Sequence, residues 1–261
     1  MAYSLRIHQR KLRQRRISLS GAPAQSEEIA SDRGLTLFAD VSPAECNAII
    51  SAAWQESFRR RQTIFSAGDP VEHVEVLLSG WVKITQGGPR GNEVILRVSG
   101  IGEVVGALGC WSDHKHRSTA QAVRPCTALV WDAATFDTLL DRFDLFRRNV
   151  VLALDERLEE IQQRFREVSS ESVGSRLSSE LIRLSERFEC AVNGHHEICL
   201  SRQELAQLTG TTLATVSRQL RHWQALGIVN IGRKMVQVCD VDALTQFSER
   251  DCPPLQSHDS V

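Results

Sequence analysis

No stretch of this sequence approaches the roughly 18 consecutive apolar residues that a membrane-spanning helix needs, and its N-terminus has no apolar core to serve as a secretory signal. Both absences point to a cytoplasmic address and away from a membrane partner. The seven cysteines, Cys46, Cys110, Cys126, Cys190, Cys199, Cys239 and Cys252, are odd in number and include no CxxC pair. In a reducing compartment they read as free thiols, mostly buried, rather than as a disulfide frame. HExxH, a P-loop, GxSxG and a paired-carboxylate motif on a recognisable scaffold are also missing, so no enzymatic activity is expected.

The composition is that of an ordinary globular protein. Of 261 residues, 42% are hydrophobic and 24% charged, which excludes a fibrous repeat or whole-chain disorder, and the length favours two modest domains. The net charge of −1 hides two basic stretches. Residues 1–33 hold seven Arg and Lys against three acids; residues 200–236 hold Arg202, Arg218, Arg221, Arg233 and Lys234 against Glu204. The first stretch lacks apolar periodicity and reads as a solvated, disordered tail.

From about Trp54 to Trp131 the chain breaks into short β-rich runs: Gln62–Ser66, Val74–Leu78, Trp81–Thr85, Val94–Val98, Val104–Val105 and Ala128–Trp131. Turn signals separate them, among them Gly68-Asp69-Pro70, Ser79-Gly80 and Gly87-Gly88-Pro89. This spacing predicts a small antiparallel barrel or jelly roll, preceded by a helix at Pro43–Ala53. After Ala134 the period becomes helical up to about Ser169, with an interruption near Asp144. Val151, Leu154, Leu158, Ile161, Phe165 and Val168 alternate by three and four along it, the seam of a coiled coil, and predict a homodimer interface. A further helix is expected over Ser170–Arg187, then a hairpin turn at Asn193-Gly194.

The C-terminal region carries the most specific pattern. Ser201-x-x-Glu204 is a capping box that opens one helix. Thr209-Gly210-Thr211 makes a short turn, and Thr212 caps a second helix running to about Leu226. Val216, Leu220 and Trp223 form the inward face of that helix, which leaves Leu213, Ala214, Ser217, Arg218 and Arg221 outside. Two helices joined by a short glycine turn make a helix-turn-helix, whose second helix enters the major groove of duplex DNA. Arg218 suits bidentate contact with guanine and Ser217 a neighbouring base or phosphate, while Arg202, Gln203, Thr212 and Arg221 are placed for phosphates. Residues 228–238 around Gly232-Arg233-Lys234 alternate like a hairpin wing with a basic tip, which adds Lys234 to the DNA-facing set.

Over about Leu37 to Leu244 these residues resemble the catabolite-activator and fumarate-nitrate-regulator (CRP/FNR) family. The resemblance rests on Ser201-Arg202-Gln203-Glu204-Leu205-Ala206, Gly210 and Thr215-Val216-Ser217-Arg218-Gln219-Leu220, and on Gly102-Glu103-Val104-Val105-Gly106-Ala107-Leu108 with Arg117-Ser118-Thr119. It implies an α+β chain: a cyclic-nucleotide-binding-like jelly roll over 34–134, a dimerisation helix over 135–169 and a winged helix-turn-helix over 170–250, with tails at 1–33 and 251–261. It also implies an effector site at Gly106, Ala107, Leu108, Arg117, Ser118 and Thr119, a homodimer on DNA, and contact with RNA polymerase.

The chain departs from the family at informative positions. Cyclic-AMP-binding members hold the ribose with a glutamate where this chain has Ala107, and adenine with hydroxyl side chains on the dimer helix, where an ungapped count reaches Ile161, Gln162 and Gln163. Arg117 and Ser118 are present for an anion; the lost ribose contact argues against cyclic AMP. Family members with an iron–sulfur cluster use N-terminal cysteines, and none precedes Cys46. Cys110, His114 and His116 are haem-ligating types, but in a polar loop they read as solvated. Cys190, His195, His196 and Cys199 match no standard zinc spacing. Many members carry a glutamate at the place of Ala214, so the base pair beside the one read by Arg218 is expected to differ. The competing reading is a ligand-binding or protein-interaction module without specific DNA binding.

Overall fold

The computed structural model describes residues 17–18, 35–88, 91–106, 113–187, 191–192 and 195–249. They fall into two compact units, parted within one long helix between Leu158 and Glu159, with Glu93–Ile95 at the start of one strand grouped with the second.

The first unit runs β1 (Ile17–Ser18), α1 (Pro43–Ser51), β2 (Trp54–Phe58), β3 (Thr63–Phe65), β4 (His73–Ser79), β5 (Val82–Gly87), β6 (Glu93–Ser99), β7 (Val104–Val105), β8 (Thr119–Ala122), β9 (Cys126–Asp132) and α2 (Ala133–Arg142), then enters α3 (Asp144–Ser170). One sheet has the order β1-β2-β9-β4-β7 and the other β3-β8-β5-β6. The jelly-roll architecture is therefore present, with two strands that the sequence pattern did not reveal. In β2 the outward Gln55 and Ser57 alternate with Trp54 and Phe58 in the core; in β8 the core positions are only Ala120 and Ala122. Alanine and glutamine are poor strand signals, and pairing with β9, β3 and β5 decides the outcome. A third unforeseen strand, β1, lies inside the stretch read as a disordered tail. Its residues pair with β2, Ile17 opposite Gln55 and Ser18 opposite Trp54, and such backbone pairing needs no apolar periodicity.

Strands β4 and β9 are buried on both faces, so they read as nearly continuous apolar runs. Val74, Val76, Leu78, Leu129 and Trp131 face α1, α2 and the start of α3, packing on Ile49, Ile50, Phe136, Phe146 and Val150. Trp131 donates its indole N–H to the Ile49 carbonyl at 2.9 Å, which satisfies the one polar atom of a wholly buried side chain. The alternate rank, Leu77, Ala128 and Val130, meets Phe65, Val82, Ile84 and Ala120 from the second sheet and fills the lumen of the roll. The interruption expected near Asp144 falls at Phe143, whose extended backbone ends α2 before α3 begins.

The second unit continues through the rest of α3 to α4 (Val173–Arg187), β10 (Ala191–Val192), β11 (His195–Ile198), α5 (Arg202–Thr209), α6 (Leu213–Ala225), β12 (Val229–Gly232), β13 (Met235–Val238) and α7 (Val241–Glu249). Its sheet has the order β10-β11-β13-β12. Helix α4 starts later than expected because Ser172 accepts from the Ser175 N–H and caps it. Val192 lies opposite His195, the register of a two-residue hairpin; Asn193, Gly194 and Cys190 lie outside the described residues. Ion pairs tie α3 to α4: Arg164 to Glu180 at 2.6 Å, Arg183 to Glu167 at 2.6 Å, and Arg187 to Glu160; within α4, Arg183 also pairs with Glu180 at 2.8 Å. Burial alone would lower the Arg183 guanidinium, but hydrogen bonds and charge from Glu167 and Glu180 outweigh it and hold it above its ordinary value.

Candidate nucleic-acid interface

Local chemistry positions the two helices of the reading motif. Ser201 accepts from the Glu204 N–H while the Glu204 carboxylate accepts from the Ser201 N–H at 2.9 Å, so both donors at the start of α5 are satisfied. Gly210 ends α5 at φ +63°, a left-handed conformation that costs glycine nothing. Thr212 then accepts from the Thr215 N–H at 3.2 Å and starts α6. The Arg176 guanidinium of α4 donates to the Thr209 carbonyl, bracing the turn from behind.

In α6 the expected inward face is fully buried: Val216, Leu220 and Trp223, with Trp223 packed on Phe247 of α7. Ala214, Arg218 and Arg221 are exposed and Ser217 is half-buried at the same outer face. Arg202, Gln203 and Thr212 are exposed at the N-terminal ends of the two helices. Arg221 lies along its own helix, its Nε donating to the Ser217 carbonyl at 3.1 Å. The side chains of Arg202, Gln203, Arg218 and Lys234 form no hydrogen bond or ion pair with any described residue. The wing is β12 and β13, with Gly232 opposite Met235, so Arg233 and Lys234 are its two-residue tip. Lys234 holds φ +65°, an uncommon conformation for a residue other than glycine or asparagine.

Helix α3 carries an apolar stripe with no cover among the described residues. Val151, Leu158, Ile161 and Val168 are exposed, and Phe165 is 73% exposed, the most of any large hydrophobic side chain described. Leu154 differs from them: it is half-buried and packs on the core of its own roll.

The residues expected to meet an effector are spread differently. Gly106 sits at the end of β7 with φ +90°. Arg117 is exposed, its guanidinium 3.7 Å from Asp113, and Ser118 and Thr119 are half-buried, with Thr119 accepting from the Ala67 N–H. Ala107, Leu108 and Cys110 lie outside the described residues. The reading of His114 and His116 as a solvated pair needs correction. His114 is exposed, but His116 is only 7% exposed and stacks on Phe65 with ring centroids 3.7 Å apart. Burial, together with nearby His73 and against the pull of Asp69, lowers the His116 imidazole to about 4, so it is neutral at pH 7.

Beside His116 stands a residue that sequence reasoning passed over. Glu75, in the middle of β4, is 5% exposed, and its Oε2 has no hydrogen-bond partner among the described residues. Burial, reinforced by the like charge of Glu56, raises its carboxyl to about 8. The signal was available: it is the acid within His73–Ser79, on the same rank as the lumen-facing Leu77.

Among the described residues no group of three His, Cys, Asp or Glu is placed to share a metal ion, and no helix is long and apolar enough to cross a membrane. Of the residues expected to meet an effector, Ala107 has no hydrogen-bonding group in its side chain, and the Glu75 carboxyl lies against Gly106.

Residues 55–143 match the cyclic nucleotide-binding domain model and residues 175–247 the Crp-like helix-turn-helix domain model. The chain is 25% identical over 223 residues to the CRP-like cAMP-activated global transcriptional regulator of Mycobacterium tuberculosis, covering 84% of this chain and 98% of that one. It is 25% identical over 196 residues to the fumarate and nitrate reduction regulatory protein of Escherichia coli, covering 74% and 78%. Its fold is similar to that of FixK2 from Bradyrhizobium japonicum, with a TM-score of 0.65 at 22% identity over 75% of this chain and 96% of that one. The two domain models fall on the two units in family order, and the relatives align across most of their own length: the chain belongs to the CRP/FNR family.

Proposed function

We propose that this protein is a sequence-specific, DNA-binding transcription regulator that works as a homodimer in the cytoplasm and responds to an effector through its jelly roll. One observation carries the reading most directly. The outer face of α6 presents exposed Arg218 and Ala214 with Ser217, above a buried rank of Val216, Leu220 and Trp223, beside a wing tipped by Arg233 and Lys234. A rigid helix with an unpaired guanidinium on its free side is suited to base edges, and the basic wing to phosphates. The exposed stripe of Val151, Leu158, Ile161, Phe165 and Val168 supports dimerisation through α3, since a contiguous apolar stripe in water favours pairing with a second copy. Such pairing would set two α6 helices about 34 Å apart, one turn of DNA.

In this reading residues 34–134 sense, 135–169 dimerise and 170–250 read DNA, with RNA polymerase as the further partner. A salt titration of binding to duplex DNA tests it. Neutralising several phosphates makes log affinity fall linearly and steeply with log salt. A flat response would favour a ligand-binding or protein-interaction module instead.

A further inference from the structure

We propose that the jelly roll is a proton-gated element in which the Glu75 carboxyl, seated in the lumen against Gly106, is the group whose ionisation the protein senses. This rests on the reading of the roll as the effector-responsive part.

The geometry begins with a packed contact. A Cβ added at Gly106 would meet Glu75 Oε2 at 2.8 Å, Phe65 Cε1 at 3.2 Å and His116 Cε1 at 3.4 Å. Three side chains from separate segments of the chain thus close over one glycine, the residue that opens the effector segment. Glu75 belongs to the rank of β4 that faces the lumen core, and its Oε2 has no donor among the described residues. An uncompensated carboxylate in such surroundings is strongly disfavoured, so the packed arrangement holds the neutral acid.

The charged and titratable groups around it do not relieve this. Glu56 on β2 is a like charge, held through the Trp54 indole N–H at 3.3 Å. His116 is buried and neutral at pH 7. His73, on the same strand, pairs with Asp132 at the end of β9 at 3.5 Å, and Asp69 acts on His116. Arg97 on β6 is committed to Glu103 at 2.6 Å. Arg117, the cation that follows His116, is 66% exposed at its side chain and lies by Asp113. Ionised Glu75 can be stabilised only if water or a cation reaches it, and the strand beside it at the sheet edge, β7, is only two residues long, paired as Val105 to Glu75 and Val104 to Val76.

Movement of β7 has a route to the long helix inside the same unit. Glu103 immediately precedes β7 and is gripped by Arg97, which also donates to the Val104 carbonyl. Glu103 also acts electrostatically on Arg157 of α3, whose Nε is buried with no hydrogen-bond partner among the described residues. Freeing β7 therefore alters the charge that α3 meets at Arg157.

The sign follows from linkage. The folded protein holds the Glu75 proton up to about pH 8, whereas an unfolded chain releases it near the ordinary carboxyl value. Its contribution to stability is complete below that ordinary value and is lost as pH rises through about 8.

The test uses the full chain and Glu75→Gln, an isostere of the neutral acid. Thermal melts from pH 5 to 9.5 are paired with anisotropy titrations, from pH 6 to 9.5, of a labelled duplex selected by the protein from a random pool. Glu75→Gln should gain relative stability as pH rises to 8. The wild-type affinity should change several-fold with a midpoint near pH 8, and Glu75→Gln should keep the low-pH value throughout. Glu56→Gln, which retains an oxygen for Trp54, should move the wild-type midpoint downward. Parallel melts for wild type and Glu75→Gln would overturn the assignment of the titrating group. Divergent melts with a pH-independent DNA affinity, or with the same pH response in both proteins, would overturn the gate. Absence of duplex binding at every pH, with divergent melts, would instead sink the DNA-binding reading and the gate with it, leaving Glu75 as a buried acid only.

Discussion

The helix-turn-helix and the roll put polar residues to opposite use. In the helix-turn-helix, Ser201 with Glu204 and Thr212 with Thr215 cap helices three residues away, and Arg218 stands free in water above an apolar rank. In the roll, Glu75 and His116 are inside, among groups brought there from β2, β3 and β7. The first arrangement gives a rigid surface ready to meet a partner of opposite charge. The second stores an unsatisfied group where its protonation state matters to packing, because desolvation makes the charged form costly. A rigid reader joined to a titratable interior is a reasonable division of labour for a regulator.

The contrast can be broken experimentally, most severely at the element linking the two units. Replacing Ile161 and Phe165 together by glutamate should leave the chain monomeric at micromolar concentrations, as seen by sedimentation, and weaken operator binding by roughly a hundredfold or more through loss of the second half-site. An unchanged dimer would remove α3 as the interface. Within the reader, Arg218→Ala should cost about 1–3 kcal/mol of discrimination at one base pair, measured on duplexes substituted at each position. Equal loss on specific and random DNA would sink its role as a base reader.

At the junction of α3 and α4, Glu180→Ala removes the ion pair to Arg164 and one of the two that Arg183 makes, leaving its pair with Glu167. It should destabilise the second unit by about 2 kcal/mol in a denaturant melt. That is below the range for a fully buried pair, because the two arginines keep 24% and 32% of their side-chain surface exposed. The smallest effect is expected at the wing. Lys234→Ala should weaken all duplexes alike and reduce the slope of log affinity against log salt by about one. A change in sequence preference would mean that the wing reads bases.

The difference between the units also governs how much of each was legible beforehand. The helix-turn-helix was readable nearly to the residue, from Ser201 to the burial of Trp223, because capping boxes, glycine turns and three-four spacing act within a few residues along the chain. The apolar rank of α3 was readable for the same reason, but not that Leu154 would turn to its own roll. Strands β2 and β8 were missed because their partners lie far away in sequence and their side chains are weakly β-forming. His116 was misplaced in solvent, since neighbouring polar residues say nothing about a phenyl ring fifty-one positions earlier.

What the sequence determined by itself, then, is the order of parts: a β-rich sensor, a striped helix, and a capped two-helix reader with a basic wing. These follow from periodicity and local hydrogen bonding, which tertiary context only confirms. The tertiary structure alone decided which polar groups are buried. Whether Glu75 meets water or Gly106 depends on the pairing of β4 with β7 and on the closing of two sheets over one lumen. Solvent access is a property of distant segments packed together, and the energy of a charge depends on solvent access more than on its neighbours in the chain.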